Sequence, residues 1–324
     1  MATSEQLKAL LKSHLDADDA RFFTIVMQIA AQEARQGHGK LATELKEFVD
    51  AAKLKSHRAS TIPLIQPRGE LAGLLSVSYP ERRLSDLILE SSVSERLHQV
   101  VVEHLQQHKI RSFGLSPKRK LLLIGPPGTG KTLSASALAG EMNMPLCTVL
   151  LDGLISKYMG ETSSKLRVVF EAFQKTRGVY LFDELDAIGG KRSNGNDVGE
   201  IRRVLNSFLQ FLEEDHNESI MVAASNHADL LDFALFRRFD EVIQYNLPDA
   251  SLIKEAMLRR LSLFEIVDFE WNDIIERAQG LSYGDLSKAC DDAAINAILI
   301  DSKKIKAAEM LKALKKRRSL SESQ

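Results

Sequence analysis

Apolar residues recur along this chain with two different periods, and the change between them marks its parts. Near the start the spacing is helical: Leu7, Leu10, Leu11 and Leu15, then Phe22, Ile25, Val26 and Ile29, then Leu41, Leu45, Phe48 and Val49, with Gly37 and Gly39 interrupting before the third group. Residues 1–56 are therefore predicted to form an N-terminal helical unit of three short helices. Residues 57–80, punctuated by Pro63, Pro67, Gly69 and Gly73, are predicted to be a linker that docks on the domain after it.

The pattern then alternates. Short apolar runs at 120–124, 146–151, 179–182, 220–224 and 241–245 are spaced by helical patterns at 131–142, 163–175 and 200–212. Runs without an exposed face suit strands covered on both sides, so residues 81–248 are predicted to be α/β, a parallel five-stranded sheet with helices on both faces. After Pro248 helical spacing takes over at 252–263, 271–278, 282–298 and 303–315, giving a C-terminal α-helical lid over 249–316. Ser282 followed by Asp285 predicts a capping box at the third of these helices. Residues 317–324 are predicted to be a flexible tail.

Composition narrows the function without naming it. The 324 residues carry a formal net charge of −1, which supplies no overall attraction to nucleic acid or anionic membranes. Only two cysteines are present, Cys147 and Cys290, both in apolar stretches, so a disulfide framework is not expected and a reducing cytoplasmic setting is. No apolar run approaches the roughly 18 residues that span a bilayer. The acids Glu5, Asp16, Asp18 and Asp19 break the start as a signal peptide, and the eight histidines show no zinc-peptidase spacing.

The chemistry is concentrated at strand ends. Gly125-Pro126-Pro127-Gly128-Thr129-Gly130-Lys131-Thr132, with Leu133 next, sits between the first strand and a helix. Glycines at this spacing let successive backbone N–H groups turn toward an anion at a helix N-terminus; Lys131 reaches the β- and γ-phosphates and the Thr132 hydroxyl a Mg²⁺ ion. The strand 179–182 ends in Asp183 and Glu184, an acid for the Mg²⁺ shell, mainly through water, and one to polarise an attacking water. Asn226 closes the strand 220–224, where it holds water or a phosphate oxygen or simply forms a turn. Arg237 and Arg238 precede the last strand, suited to phosphate oxygens or to surface pairing with Asp232 or Asp240.

Together these pieces resemble the AAA ATPase module of the group that includes spastin, katanin and FtsH. The matching segments, in order, are GPPGTGKT, LFDELDAIGG, AASNHADLLD, LFRRFDEVIQYNLPD and GLSYGDLSKACDDAA. The resemblance extends from about Leu84 to Leu299, leaving the first 56 residues and the tail outside it. It implies an ATP hydrolase of the P-loop NTPase fold using Mg²⁺, with Glu184 activating water, Asn226 as the first sensor and Lys131 on the phosphates. It also implies that Arg237 and Arg238 act as fingers on a neighbouring subunit's nucleotide, in a homo-oligomeric ring of six. The family carries a Gly-Ala pair where Tyr283-Gly284 stands here; Gly284 keeps the close approach to nucleotide, and Tyr283 departs from the pattern.

Tyr158-Met159-Gly160 matches the pore-loop triplet with which such rings grip unfolded polypeptide, and 189–199 matches the second pore loop. An aromatic beside a flexible methionine suits sequence-tolerant grip. The resemblance thus implies remodelling, unfolding or threading of protein clients, with the N-terminal helices as an adaptor domain that recruits substrates or partners and a separate peptidase as partner where clients are degraded. A nucleic-acid loader, drawing on Lys315-Lys316-Arg317-Arg318, and a module that only reads nucleotide are the alternatives.

Overall fold

The computed structural model describes residues 19–35, 69–154, 161–186, 198–215, 217–300 and 303–321, together with isolated positions between 38 and 67. The chain divides into two units, Met1–Pro63 and Leu64–Gln324. In the first, one helix, Asp19–Arg35, buries Ile25, Ile29 and Ala30, four- and five-residue spacings that lie along one helical stripe. Val26 is half-buried, while the Phe22 and Phe23 side chains and the expected first helix lie outside the described residues.

The second unit is built on a six-stranded sheet. Its strands are β1 (Leu75–Ser78), β2 (Lys120–Ile124), β3 (Leu146–Val149), β4 (Val179–Phe182), β5 (Ile220–Ser225) and β6 (Glu241–Gln244), in the order β1-β3-β4-β5-β2-β6. The five expected strands are all present and run parallel to their neighbours. The sixth, β1, pairs antiparallel with β3 and falls in the span expected to be a linker. Leu74 and Leu75 explain this: both are buried in the sheet's core, and the Leu74 carbonyl accepts a hydrogen bond from Leu150 N at 2.9 Å. Here the proline and glycine punctuation surrounds a short apolar run that anchors the sheet's edge.

Alternation along the strands sends side chains to two separate cores. Leu122, Ile124, Tyr180, Phe182, Met221 and Ala223 face helices Glu161–Lys175 and Val198–Glu214, where Phe170, Phe173 and Phe208 complete an aromatic cluster with ring centroids 3.8–6.1 Å apart. Leu121, Leu123, Leu181, Val222 and Ala224 face helices Ser91–Leu105 and Lys131–Glu141. With both faces covered, the strands read as continuous apolar runs.

A third core belongs to the lid: helices Ala250–Arg260, Trp271–Ala278, Tyr283–Leu299 and Ala307–Ser321 close around Ile253, Met257, Ile274, Leu286, Cys290 and Leu314. Two short strands, β7 (Glu265–Val267) and β8 (Lys304–Lys306), pair in parallel at its edge, an addition the charged sequence hid. The last helix continues to Ser321, into the span expected to be a tail, and its Arg317 donates to Asp292 at 2.9 Å. Among the described residues no helix is long and apolar enough to cross a membrane.

Candidate functional site

The carboxyl ends of β2, β4 and β5 lie side by side, and the register brings the polar residues beyond them into one place. Phe182 pairs with Ala223 and Ile124 with Ser225, so Asp183 and Glu184, Asn226 and the loop from Gly125 all leave the sheet at the same edge. Parallel α/β sheets bind ligands at this edge.

The loop is shaped by its neighbours. Gly125 has φ +148° and lies against the Tyr245 carbonyl, where a Cβ would overlap the oxygen. Gly128 has φ +74° and lies against Ser282 of the lid, so it too has no room for a side chain. The Thr129 hydroxyl donates to Pro126 O at 2.8 Å and holds the turn closed. Lys131, 6% exposed, directs its Nζ at Gly125 O and Pro126 O, 2.7 and 2.8 Å away. Burial lowers its pKa, and the carboxylates of Asp183 and Asp186 oppose that shift. An ammonium held inside the loop by neutral carbonyls is poised for an anionic partner.

Beyond the loop, the Thr132 hydroxyl donates to Asp183 Oδ2 at 2.7 Å. These hard oxygens, beside a phosphate-shaped cradle, fit Mg²⁺, which prefers few protein ligands plus phosphate and water. Glu184 comes next with φ +53°, uncommon for a residue with a side chain, and its backbone N–H donates to Asp183 Oδ1 at 3.0 Å. The exposed Glu184 carboxylate has no partner among the described residues, which leaves it free to hold water. Asp186, overlooked in the sequence, links the two strand ends: its Oδ1 accepts from Ser225 Oγ at 2.8 Å and Asn226 N at 3.3 Å. That contact fixes the backbone from which half-buried Asn226 projects.

The lid meets the loop directly. The capping box is present, with Ser282 Oγ accepting from Asp285 N, and Gly284 N donates to Gly128 O at 3.0 Å. Alongside opens a cleft of about 940 Å³, walled by Leu87, Ile88 and Leu89, by Thr129, Gly130 and Leu133 of the loop and its helix, and by Ala256 and Tyr283 of the lid. The segment Leu87–Leu89 was not singled out in the sequence, because an apolar stretch before a helix carries no chemical signature.

Comparison with known proteins agrees with this geometry. Residues 121–247 match the model of the ATPase family associated with various cellular activities (AAA). The chain is 33% identical over 308 residues to the uncharacterized AAA family ATPase y4kL of Sinorhizobium fredii, covering 94% of this chain and 92% of that one. This chain belongs to the AAA ATPase family. It is also 33% identical to the proteasome-activating nucleotidase of Aeropyrum pernix, over 83% of this chain and 70% of the relative. To the ATP-dependent zinc metalloprotease FtsH 3 of Sphaerobacter thermophilus it is 31% identical, but it spans only 52% of that protein.

As an AAA ATPase the chain binds and hydrolyses ATP, and the carboxyl edge of its sheet holds the groups suited to that reaction. The edge gathers Gly125 to Leu133, Asp183, Glu184, Asn226 and Gly284. Arg237 and Arg238 are not among them. They stand before β6, whose first residue Glu241 pairs with Leu121 at the start of β2, so they lie at the amino edge, across the sheet from the loop. Both are exposed; Arg238 pairs with Glu213, and Arg237 has no ion pair among the described residues. Tyr158, Met159 and Gly160 lie outside the described residues.

Proposed function

We propose that this AAA ATPase works as a homo-oligomeric ring, most simply of six copies, that converts ATP hydrolysis into remodelling, unfolding or threading of protein clients. The separation of the two arginines from their own phosphate loop carries the reading. Phosphoryl transfer builds charge on the γ-phosphate that a guanidinium stabilises, and Arg237 and Arg238 stand at the opposite edge of the sheet from this chain's own loop. A second copy, presenting Arg237 and Arg238 across an interface, completes the site.

Within the site the roles derive from position. Lys131 and the loop's backbone N–H groups hold the phosphates. Thr132 and Asp183 hold Mg²⁺, which neutralises charge on the phosphate oxygens when bound. Glu184 accepts a proton from the attacking water, and Asn226 orients that water or a phosphate oxygen. The nucleoside half of ATP lies in the cleft between Leu87–Leu89 and the lid. Tyr158, Met159 and Gly160 grip the client.

The relatives support a protein client, since their names include proteasome-activating nucleotidases and ATP-dependent proteases. A separate peptidase is the corresponding partner, the N-terminal helix a recruiting surface and the cytoplasm the setting. Nucleic acid fits less well: Lys316 and Arg317 of the basic run are engaged by Asp292, which leaves that surface partly neutralised. Glu184→Gln tests the assignment. It should retain ATP while turnover falls about 10²- to 10⁴-fold, the worth of a general base, and rings trapped with ATP should co-purify with protein clients in pull-downs. Turnover near wild type would remove Glu184 from its role, and recovery of nucleic acid alone would overturn the protein-client reading.

A further inference from the structure

Tyr283 is placed where the lid, the phosphate loop and the cleft meet, and the family resemblance gives it no task. It is the first residue of the lid helix Tyr283–Leu299. On one side of it Ser282 packs against Gly128, and on the other Gly284 N donates to Gly128 O, so its backbone is fixed beside the loop by both neighbours. The half-buried side chain lines the 940 Å³ cleft and also a small cavity of about 50 Å³ shared with Tyr245 and Asn246. Among the described residues lining the cleft it is the sole aromatic, and Leu87, Ile88 and Leu89 contribute an aliphatic part of the lining.

The chemistry of the ring itself decides which part of a nucleotide it suits. Burial pushes its phenol up to about 12, with Asp249, Glu90 and Glu255 adding to the shift, so the side chain stays neutral. Arg82, Arg259 and Arg260 line the same cleft as Glu81 and Asp86, so its lining carries both signs of charge, whereas the adjoining loop, with Lys131 inside it, is built to attract phosphate. An aromatic face in a cleft that also carries aliphatic side chains fits a flat, uncharged heterocycle.

We propose that Tyr283 is a specificity-determining residue of the ATPase site, supplying the aromatic wall against which the nucleotide's heteroaromatic base packs. The inference rests on the nucleotide reading of the cleft and adds to it a side chain that a Gly-Ala pair lacks. The consequence is a division of labour: Lys131 and the loop read phosphate, and Tyr283 reads the base.

Titration calorimetry on the full chain separates the two. ADP and inorganic tripolyphosphate are the probes, and Tyr283→Ala, Tyr283→Leu and Tyr283→Phe the variants. Removing the ring should weaken ADP about tenfold, within the range for a stacked base, in both the Ala and Leu variants. The Phe variant should stay within about twofold of wild type, and tripolyphosphate should bind all four proteins alike. Equal losses for both probes would make Tyr283 a prop for the loop and overturn the proposal, as would unchanged ADP affinity in Tyr283→Leu, which keeps the bulk if Tyr283→Ala fails to fold. A wild-type chain that binds tripolyphosphate but not ADP would instead sink the nucleoside reading of the cleft on which the proposal depends.

Discussion

The two edges of the central sheet are built on opposite plans. At the amino edge charged side chains are joined in pairs: Arg111 with Glu218 at 2.6 Å, Lys118 with Glu241 at 2.5 Å, Arg119 with Asp215, and Arg177 with Glu218 at 3.9 Å. Asp240 adds a clasp there, accepting from the backbone N–H groups of Arg119 and Lys120, both at 2.9 Å. At the carboxyl edge Glu184 is exposed without a partner among the described residues, Glu184 and Gly128 hold left-handed backbone, and buried Lys131 is held by the neutral carbonyls of Gly125 and Pro126. One edge satisfies its charges; the other leaves them for a ligand, as functional sites do at a cost in stability.

Arg237 and Arg238 break the pattern, and the largest effect is expected there. They stand on the edge where charge is otherwise paired, yet Arg237 is open and Arg238's pair with Glu213 is exposed on both sides, where such a contact contributes about 0–1 kcal/mol. Replacing both with Ala should leave the melting temperature nearly unchanged while turnover falls about 10³- to 10⁵-fold, the worth of an arginine finger. Mixing that variant with Lys131→Ala subunits sharpens the comparison, because a site made of one copy's loop and another's arginines is restored only in mixed rings. Mixtures no more active than their parents would return the arginines to the structural edge.

His104 makes the converse case. It is 4% exposed, and burial first, then the Arg177 guanidinium, lower its pKa to about 4. The folded chain therefore resists protonating it while the unfolded chain does so near pH 6.5, and the stability this represents is present above pH 6.5 and lost as pH falls toward 4. The loss amounts to at most about 3 kcal/mol. Denaturant midpoints measured between pH 7 and 4.5 should fall for the wild type and fall less for His104→Gln, while ATP affinity at pH 7 stays the same in both. Parallel pH curves for the two proteins would remove His104 as the source.

The same contrast decides which features were legible in the sequence. The carboxyl edge was, because the glycines and lysine of the phosphate loop form one local motif and the two acids ending β4 form another. Asp186 was not: its partners Ser225 and Asn226 become neighbours only when β4 and β5 pair. The pairs of the amino edge join residues as far apart as Lys118 and Glu241, so no local spacing announced them. Strand β1 was missed for a related reason, since four residues among prolines and glycines become a strand through the edge that β3 offers. The positive φ of Glu184 has no signature in composition at all.

The smallest effect tests the seam between lid and loop, where two glycines face each other under different constraints. Gly128 has φ +74° and Ser282 in the way of any side chain. Gly284 lacks a left-handed φ, and a Cβ there would meet Gly128 Cα at 3.5 Å, an ordinary contact. Gly284 also lies in the first turn of a helix, where Ala is favoured over Gly by about 0.5–1 kcal/mol. Gly284→Ala should therefore raise the melting temperature by a few degrees or less and keep ATP turnover near wild type, whereas Gly128→Ala should lose nucleotide affinity. The Gly284 N–H donates to Gly128 O and survives the change, so the lid stays on the loop in the first variant. Loss of ATP affinity in Gly284→Ala would show instead that the nucleotide itself, and not the loop, needs the space beside Gly284.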